Sequence, residues 1–206
     1  MVELGSLESP PIRDVVRDVF KQSQNLYTDL LLAEVGERDR AADTPPDRTS
    51  EELGIRALNR FLAEAGLNKE EVLFEEGSGL SRDNLTTPNA TVTLLQFMSR
   101  HKHAAIYAQA LPVAGVDGTL RERMKGTPAV GNVRAKTGTL HWASSLSGYV
   151  TSAAGEHLAF SLMLNRYHPT EANHSARAEL DNIAVLLAGF TGRSDEGEMP
   201  KKTATK

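Results

Sequence analysis

Asn132-Val-Arg-Ala-Lys136-Thr137-Gly138-Thr139-Leu140, Leu146-Ser-Gly-Tyr-Val-Thr151 and Leu158-Ala-Phe-Ser-Leu-Met-Leu164 follow one another as three extended runs. They are rich in β-branched, aromatic and alternating apolar residues, which suits a half-buried sheet. Ala153-Ala154-Gly155-Glu156 joins the last two and is short enough for a tight hairpin. The three runs therefore predict an antiparallel meander.

After the meander, residues 171–190 carry Ala176, Leu180, Ile183, Leu186 and Leu187 at helical spacing and predict a helix that covers the meander with these residues inward. Residues 111–131 ahead of it are rich in glycine and proline and read as loop, with a turn at Asp117-Gly118. Further upstream the period becomes helical. Ile12, Val15, Val16, Val19 and Phe20 define one helix opened by Pro10-Pro11. After a break at residues 21–24, a second helix begins at Asn25 and is expected to stop at Gly36. Thr49 with Glu52 forms a capping box ahead of Leu53, Ala57, Leu58, Phe61 and Leu62. Val72-Leu73-Phe74 is a short strand, Gly77-Ser78-Gly79 a turn, and Thr87-Pro88 opens a helix bearing Val92, Leu95 and Met98. Helices followed by a meander and a covering helix predict an α/β chain of the α+β kind, an antiparallel sheet flanked by helices. Residues 1–10 read as a disordered lead-in, 11–191 as one domain, and 192–206 as a disordered, lysine-rich tail.

Composition narrows the function. The 206 residues are 40% hydrophobic and 24% charged, with a net charge of −4. A nucleic-acid binder normally shows a basic excess, so none is expected as a partner. The chain has no cysteine, which removes disulfide scaffolds and thiolate metal sites, and the histidines (101, 103, 141, 157, 168 and 174) lack metal-ligand spacing on one helix face. No metal or other cofactor is expected. No apolar run is long enough to span a bilayer, and residues 1–10 lack the charged and apolar regions of a signal peptide.

Two short motifs carry chemistry. Lys136-Thr137-Gly138-Thr139 ends a predicted strand, and Ser23-Gln24-Asn25 sits between two predicted helices. Taken singly, the first reads as a solvated strand lysine and the second as a helix cap. Together, Ser-x-Asn followed by Lys-Thr-Gly is two thirds of the set used by serine β-lactamases and penicillin-binding proteins. The flanking sequence extends the match through Lys21-Gln-Ser-Gln-Asn-Leu-Tyr-Thr-Asp, Glu76-Gly-Ser-Gly-Leu-Ser, Leu111-Pro-Val-Ala-Gly-Val-Asp-Gly-Thr-Leu, Arg134-Ala-Lys-Thr-Gly-Thr-Leu and Leu146-Ser-Gly-Tyr-Val. Over roughly residues 8–190 the chain resembles the C-terminal half of the low-molecular-mass class C penicillin-binding proteins, the D-alanyl-D-alanine carboxypeptidase/endopeptidase family. Glu76 departs from that family's usual Asp, and Thr28-Asp29 from its Ala-Glu.

The resemblance implies part of the β-lactamase/D,D-peptidase (transpeptidase-like) fold and a serine acyl-transfer reaction on peptidoglycan stem peptides ending in D-Ala-D-Ala, with β-lactams inhibiting the full-length protein. It implies a periplasmic or otherwise extracytoplasmic location. Ser23 would relay a proton to the leaving nitrogen, Asn25 would orient the substrate amide, and Lys136 would place positive charge beside Ser23 and the substrate carboxylate. Thr137 and Thr139 would bind that carboxylate, the Thr139 N–H would form half of an oxyanion hole, and Gly138 would leave the strand face open. Ser78, Gly79 and Ser81 read as a structural turn. His141-Trp142 follow the Lys-Thr-Gly strand and read as packing or exposed residues, with a place at the cleft border as the other reading, and Arg166-Tyr167 read as a strand end.

The nucleophile motif Ser-x-x-Lys, which precedes Ser-x-Asn in the family, has no match among the 22 residues before Ser23. Ser99-Arg-His-Lys102 fits literally but lies after Ser-x-Asn on a predicted helix, and reads as a chance match. The chain alone is therefore expected to be inactive. Three readings follow: a carboxypeptidase fragment, a truncated product that at most binds, and a β-lactamase-related acyl-transferase.

Overall fold

The computed structural model describes residues 5–167 and 175–193. The expected tail from residue 194 onward, the first four residues, and the start of the expected last helix at residues 171–174 lie outside the described residues.

Helices Ile12–Gln22 (α1), Asn25–Asp39 (α2) and Ser50–Glu64 (α3) come first. A two-stranded ladder, Val72–Leu73 (β1) and Leu85–Thr86 (β2), follows, then Pro88–Arg100 (α4), Ala104–Ala110 (α5) and a single 3₁₀ turn at Gly118–Leu120. The meander is Arg134–Leu140 (β3), Ala143–Thr151 (β4) and His157–Asn165 (β5), closed by Ala176–Gly189 (α6). The strand order is β3-β4-β5, antiparallel throughout, as the meander reading requires. Caps form where the sequence signalled them. Thr49 and Glu52 make the reciprocal capping box, and the Thr87 hydroxyl accepts from the Ala90 N–H; the Ser175 hydroxyl, which the sequence did not signal as a cap, accepts from the Ala178 N–H. Helix α5 and strand β2 had no clear sequence signal, because each is only a turn or a two-residue ladder long.

The two faces of the sheet differ because side chains alternate along each strand. One face carries Ala135, Leu146, Val150 and Phe160, which pack with Leu180, Ala184 and Ala188 of α6 into the main core. The other carries Arg134, Lys136, Ser145, Ser147, Tyr149, Thr151 and Ser161, polar groups that share a face through the pairs Lys136–Ser147–Ser161 and Arg134–Tyr149. Helix α4 crosses this polar face, and the Tyr149 hydroxyl donates to the Leu95 carbonyl at 2.7 Å. An edge-to-face chain of rings, Phe20–Tyr107 at 5.6 Å and Tyr107–Tyr149 at 6.5 Å, ties α1 through α5 to β4.

Two expectations are corrected. Helix α2 does not stop at Gly36 but runs to Asp39. Gly36 is there for closeness: a Cβ at this position would collide with the Ser50 carbonyl oxygen and sit 2.6 Å from the Gly54 nitrogen. Gly54 in turn has no room for a Cβ against the Leu32 backbone of α2. The pair lets α2 and α3 cross backbone to backbone. In α6, Ile183 and Leu186 do not point inward; they are 39% and 71% exposed, while Leu180, Ala184 and Ala188 make the contact. Small residues on the contact face bring the helix close to the sheet, and the larger side chains are left outside. The same is true of α2, where Leu26, Tyr27, Leu30 and Val35 are all exposed.

Gly36→Ala is expected to destabilise the chain by about 1–3 kcal/mol, since backbone rather than a movable side chain blocks the added methyl. Urea unfolding followed by far-UV circular dichroism measures this, and an unchanged midpoint would contradict the close-crossing account.

Candidate active site

Helix α1 ends at Ser23, which adopts the left-handed conformation (φ 57°, ψ 59°) and closes the helix through an N–H bond to Val19. A non-glycine residue there is uncommon and needs surrounding structure to hold it. The result is a sharp corner between α1 and α2 that carries the Ser23 hydroxyl outward. Asn25 opens α2 on the far side of this corner. Its carboxamide is exposed and makes no hydrogen bond among the described residues.

Lys136 approaches the corner from β3. Its ammonium donates to Ser23 Oγ at 2.7 Å and to the Thr137 carbonyl at 2.7 Å. Residues 113 positions apart in the chain therefore meet in one hydrogen bond. Lys136 is partly buried and has no carboxylate partner among the described residues. Burial disfavours the ammonium and pushes its pKa below the ordinary lysine value. Of the other predicted residues, Thr137 Oγ1 is 3.0 Å from Thr119 Oγ1, Thr139 is exposed, and a Cβ at Gly138 would meet the Ser145 hydroxyl on the adjacent strand. The structure thus brings Ser23 to Lys136, with Thr137, Gly138 and Thr139 next along the same strand.

What fixes the corner was not singled out from the sequence. Lys21, two residues before Ser23, reaches over residues 111–120. Its ammonium donates to both Asp117 carboxylate oxygens at 2.8 Å and to the Leu111 carbonyl at 2.6 Å. Asp117 Oδ1 also accepts the Val113 N–H at 2.9 Å. Val113 bridges to Arg134 at the start of β3, so the tether ends on the strand that carries Lys136. Gly118 (φ +56°) passes beneath α1 so closely that a Cβ would lie 2.8 Å from the Lys21 carbonyl. Asp117-Gly118 is a turn, as expected, but it is also the clamp. The available signal was a lysine and an aspartate, both inside the quoted motifs and both in segments bordering the site.

The Gly77–Ser81 turn is organised by Glu76. Its carboxylate accepts from the N–H groups of Ser78, Gly79 and Ser81, the Ser78 hydroxyl and the Asn84 side chain. Burial opposes its charge, but the bonds from Ser78, Ser81 and Gly79 outweigh burial and hold the carboxyl below its ordinary range. Asp29 of α2 accepts the Gly77 N–H at 3.0 Å and so pins this turn to the first turns of α2, beside Asn25. Ser78, Gly79 and Ser81 are thus ligands of a buttress. Ser99, at the end of α4, donates to the Gln96 carbonyl at 2.8 Å and makes no bond to Lys102. His141 and Trp142 stack edge to face at the exposed β3–β4 turn.

No group of three or more potential metal ligands occurs among the described residues, and no described helix is long and apolar enough to cross a membrane.

Comparison with known proteins identifies the family. Residues 2–187 match the profile of the D-Ala-D-Ala carboxypeptidase 3 (S13) family. The chain is 36% identical over 197 residues to a D-alanyl-D-alanine carboxypeptidase of Actinomadura sp. (strain R39), a match that covers 92% of this chain and 34% of that protein. It is 33% identical over 161 residues to the D-alanyl-D-alanine carboxypeptidase DacB of Haemophilus influenzae, covering 77% and 33%. The crystal structure of penicillin-binding protein 4 (DacB) from Haemophilus influenzae superposes with a TM-score of 0.73 at 29% identity, over 87% of this chain and 40% of that one. A β-lactamase from Sphaerobacter thermophilus shares the fold at a TM-score of 0.56 and 20% identity. The chain spans about a third of the length of these two carboxypeptidases. With most of its length matched, and with its helices and antiparallel sheet laid out as in part of that fold, the chain belongs to the D-Ala-D-Ala carboxypeptidase 3 (S13) family.

Proposed function

We propose that the chain forms one wall of the active site of a serine-type D-Ala-D-Ala carboxypeptidase that cleaves peptidoglycan stem peptides outside the cytoplasm through an acyl-enzyme. The observation that carries this reading is the 2.7 Å contact between the Lys136 ammonium and Ser23 Oγ, made by a lysine with no carboxylate to neutralise it among the described residues. An uncompensated, partly buried ammonium favours an incoming anion, and a peptide's terminal carboxylate is one.

Each role follows from the chemistry of the group. Lys136 polarises the Ser23 hydroxyl and favours its passing a proton to the leaving amine. The Asn25 carboxamide, exposed and unspent, is available to a substrate amide. Thr137 donates to Thr119, which leaves the Thr119 hydroxyl proton for a carboxylate; Thr119 and Thr139 hold the substrate terminus, and Thr137 orients Thr119. The Thr139 N–H, near the end of β3, serves as one oxyanion donor. The attacking serine and its lysine base belong to the portion of the family's length that this chain does not span, so the 206 residues alone bind but do not turn over substrate.

A fluorescent penicillin tests the assignment. The 206-residue chain is expected to remain unlabelled. In a version extended to the family's full length, labelling is expected to appear and to fall by about 10²-fold or more with Lys136→Ala. Stoichiometric labelling of the short chain would move the nucleophile to Ser99, and full labelling of the variant would remove Lys136 from the mechanism.

The shifted lysine gives a pH test. Its folded pKa lies below the unfolded value near 10.5, so between the two the unfolded chain binds more protons and stability rises with pH. A carboxylate bound at the ammonium opposes this and raises the pKa. Titration of the Lys136 Nζ signal by NMR is expected to give a depressed midpoint that moves up when N-acetyl-D-alanine is added.

Lys21→Met tests the tether. It leaves Asp117 without its cation and is expected to cost about 1–3 kcal/mol, below the range for fully buried pairs because Asp117 is partly exposed. It is also expected to shift the Lys136 Nζ signal, although residue 21 does not touch Lys136. Loss of stability with an unchanged Lys136 signal would show the pair to be structural only.

A further inference from the structure

A cavity of about 420 Å³ lies on the polar face of the sheet, between α4 and the start of β3. Its walls include Gln96, Ser99 and Arg100 of α4, and Arg134, Tyr149 and His157 of the sheet. Arg134 and Lys136 leave the same face of β3 two residues, or about 7 Å, apart. The cavity is therefore a neighbour of the Ser23–Lys136 site and is not part of it.

The polar groups of the wall divide into two kinds. Most are already spent on one another. Asn132 donates to the Thr151 carbonyl at 2.8 Å and accepts the Thr151 N–H at 2.9 Å. Thr151 Oγ1 is 3.0 Å from His157 Nδ1, the Tyr149 hydroxyl is bound to the Leu95 carbonyl, and Ser99 to the Gln96 carbonyl. The two guanidiniums are different. Neither Arg100 nor Arg134 makes a side-chain hydrogen bond or ion pair among the described residues, and Arg134 is partly buried. No acidic side chain among the described residues lines the cavity. Ten guanidinium N–H donors, five on each arginine, thus border a concave space whose other groups form a preset frame.

We propose that this cavity is an oxyanion subsite, in which Arg134 from the strand and Arg100 from the helix grip a carboxylate or phosphoryl group. A guanidinium presents paired donors that match either oxyanion bidentately, which a lysine cannot do. The chain's net charge is −4, so this acid-free pocket opposes the overall balance of charge. The inference stands on these side chains and does not require the carboxypeptidase reading.

The test is an NMR titration of the 206-residue chain at low ionic strength, with inorganic phosphate in one arm and N-acetyl-D-alanine in the other. Sodium chloride at matched ionic strength is the control. Saturable shifts are expected at the Arg134 and Arg100 Nε signals and at the Thr151 and His157 amides, in the phosphate arm, the carboxylate arm or both, and the stronger arm identifies the source of the oxyanion. They are expected to persist in Lys136→Gln and to weaken about tenfold or more in Arg134→Gln. Arg100→Gln, on an exposed helix position, is expected to weaken them as well and guards against a folding defect in the strand variant. Shifts that are linear and shared with chloride, or that survive both arginine variants, would overturn the proposal. Shifts that vanish in Lys136→Gln alone would also overturn it while leaving the Lys136 site standing. Loss of the Lys136 response with the arginine response intact would have the opposite meaning.

Discussion

The site depends on the ion pair between Lys21 and Asp117. Ser23 stands at a corner in the left-handed conformation, on a short connection between two helices, and nothing local to Ser-Gln-Asn fixes where that corner lies relative to β3. The Lys21 ammonium supplies the missing constraint by binding both Asp117 oxygens and the Leu111 carbonyl. Its side chain is only 13% exposed, so the pair is shielded from the screening that makes most surface pairs weak. Asp117 passes the constraint to Val113, and Val113 to the first residue of β3. One charged contact thus sets the distance between a helix end and a strand that are more than a hundred residues apart.

The second organising fact is the difference between the two faces of the sheet. The apolar face is settled by α6 and by the bidentate Arg123–Asp181 pair, whose side chains are 11% and 17% exposed and which fastens the loop before β3 to that helix. The polar face carries Lys136 and Arg134, two cations without counterions among the described residues, beside a row of serines. Neutral phenols hold the helices over this face. Burial raises the Tyr107 pKa to about 12 and that of Tyr149 higher still, so neither ring competes for the cations as an anion. A cation left unpaired at a partly dry surface is costly unless something anionic arrives.

The uncovered apolar surface fits the chain's partial coverage of its relatives. Leu26, Tyr27, Leu30 and Val35 of α2 are exposed, and Val16, Val19, Phe20, Leu31 and Leu32 line a groove of about 260 Å³ between α1 and α2. The open edge of β5 and the exposed Leu186 of α6 add to it. Such surface is what a larger domain buries. The curated carboxypeptidases that the chain matches are about three times as long as the matched region.

Most of the elements, and the family, were legible in the sequence alone. Period-two and period-3.6 patterns, the Thr49–Glu52 box and the Thr87-Pro88 start are local signals, and local signals survive being read one residue at a time. The motifs around Ser23, Glu76, Asp117 and Lys136 named the family because residue types at fixed spacing carry it. Only the tertiary structure decided why Gly36 is a glycine, since an apparent stop signal and a helix-crossing glycine look alike until the second helix is in place. It alone showed that Ile183 and Leu186 lie outside, that Glu76 is the hub of its turn, and that Lys21 and Asp117 are partners. Each of these is a contact between distant segments, and a contact of that kind has no period, no spacing and no local propensity by which a single chain could announce it.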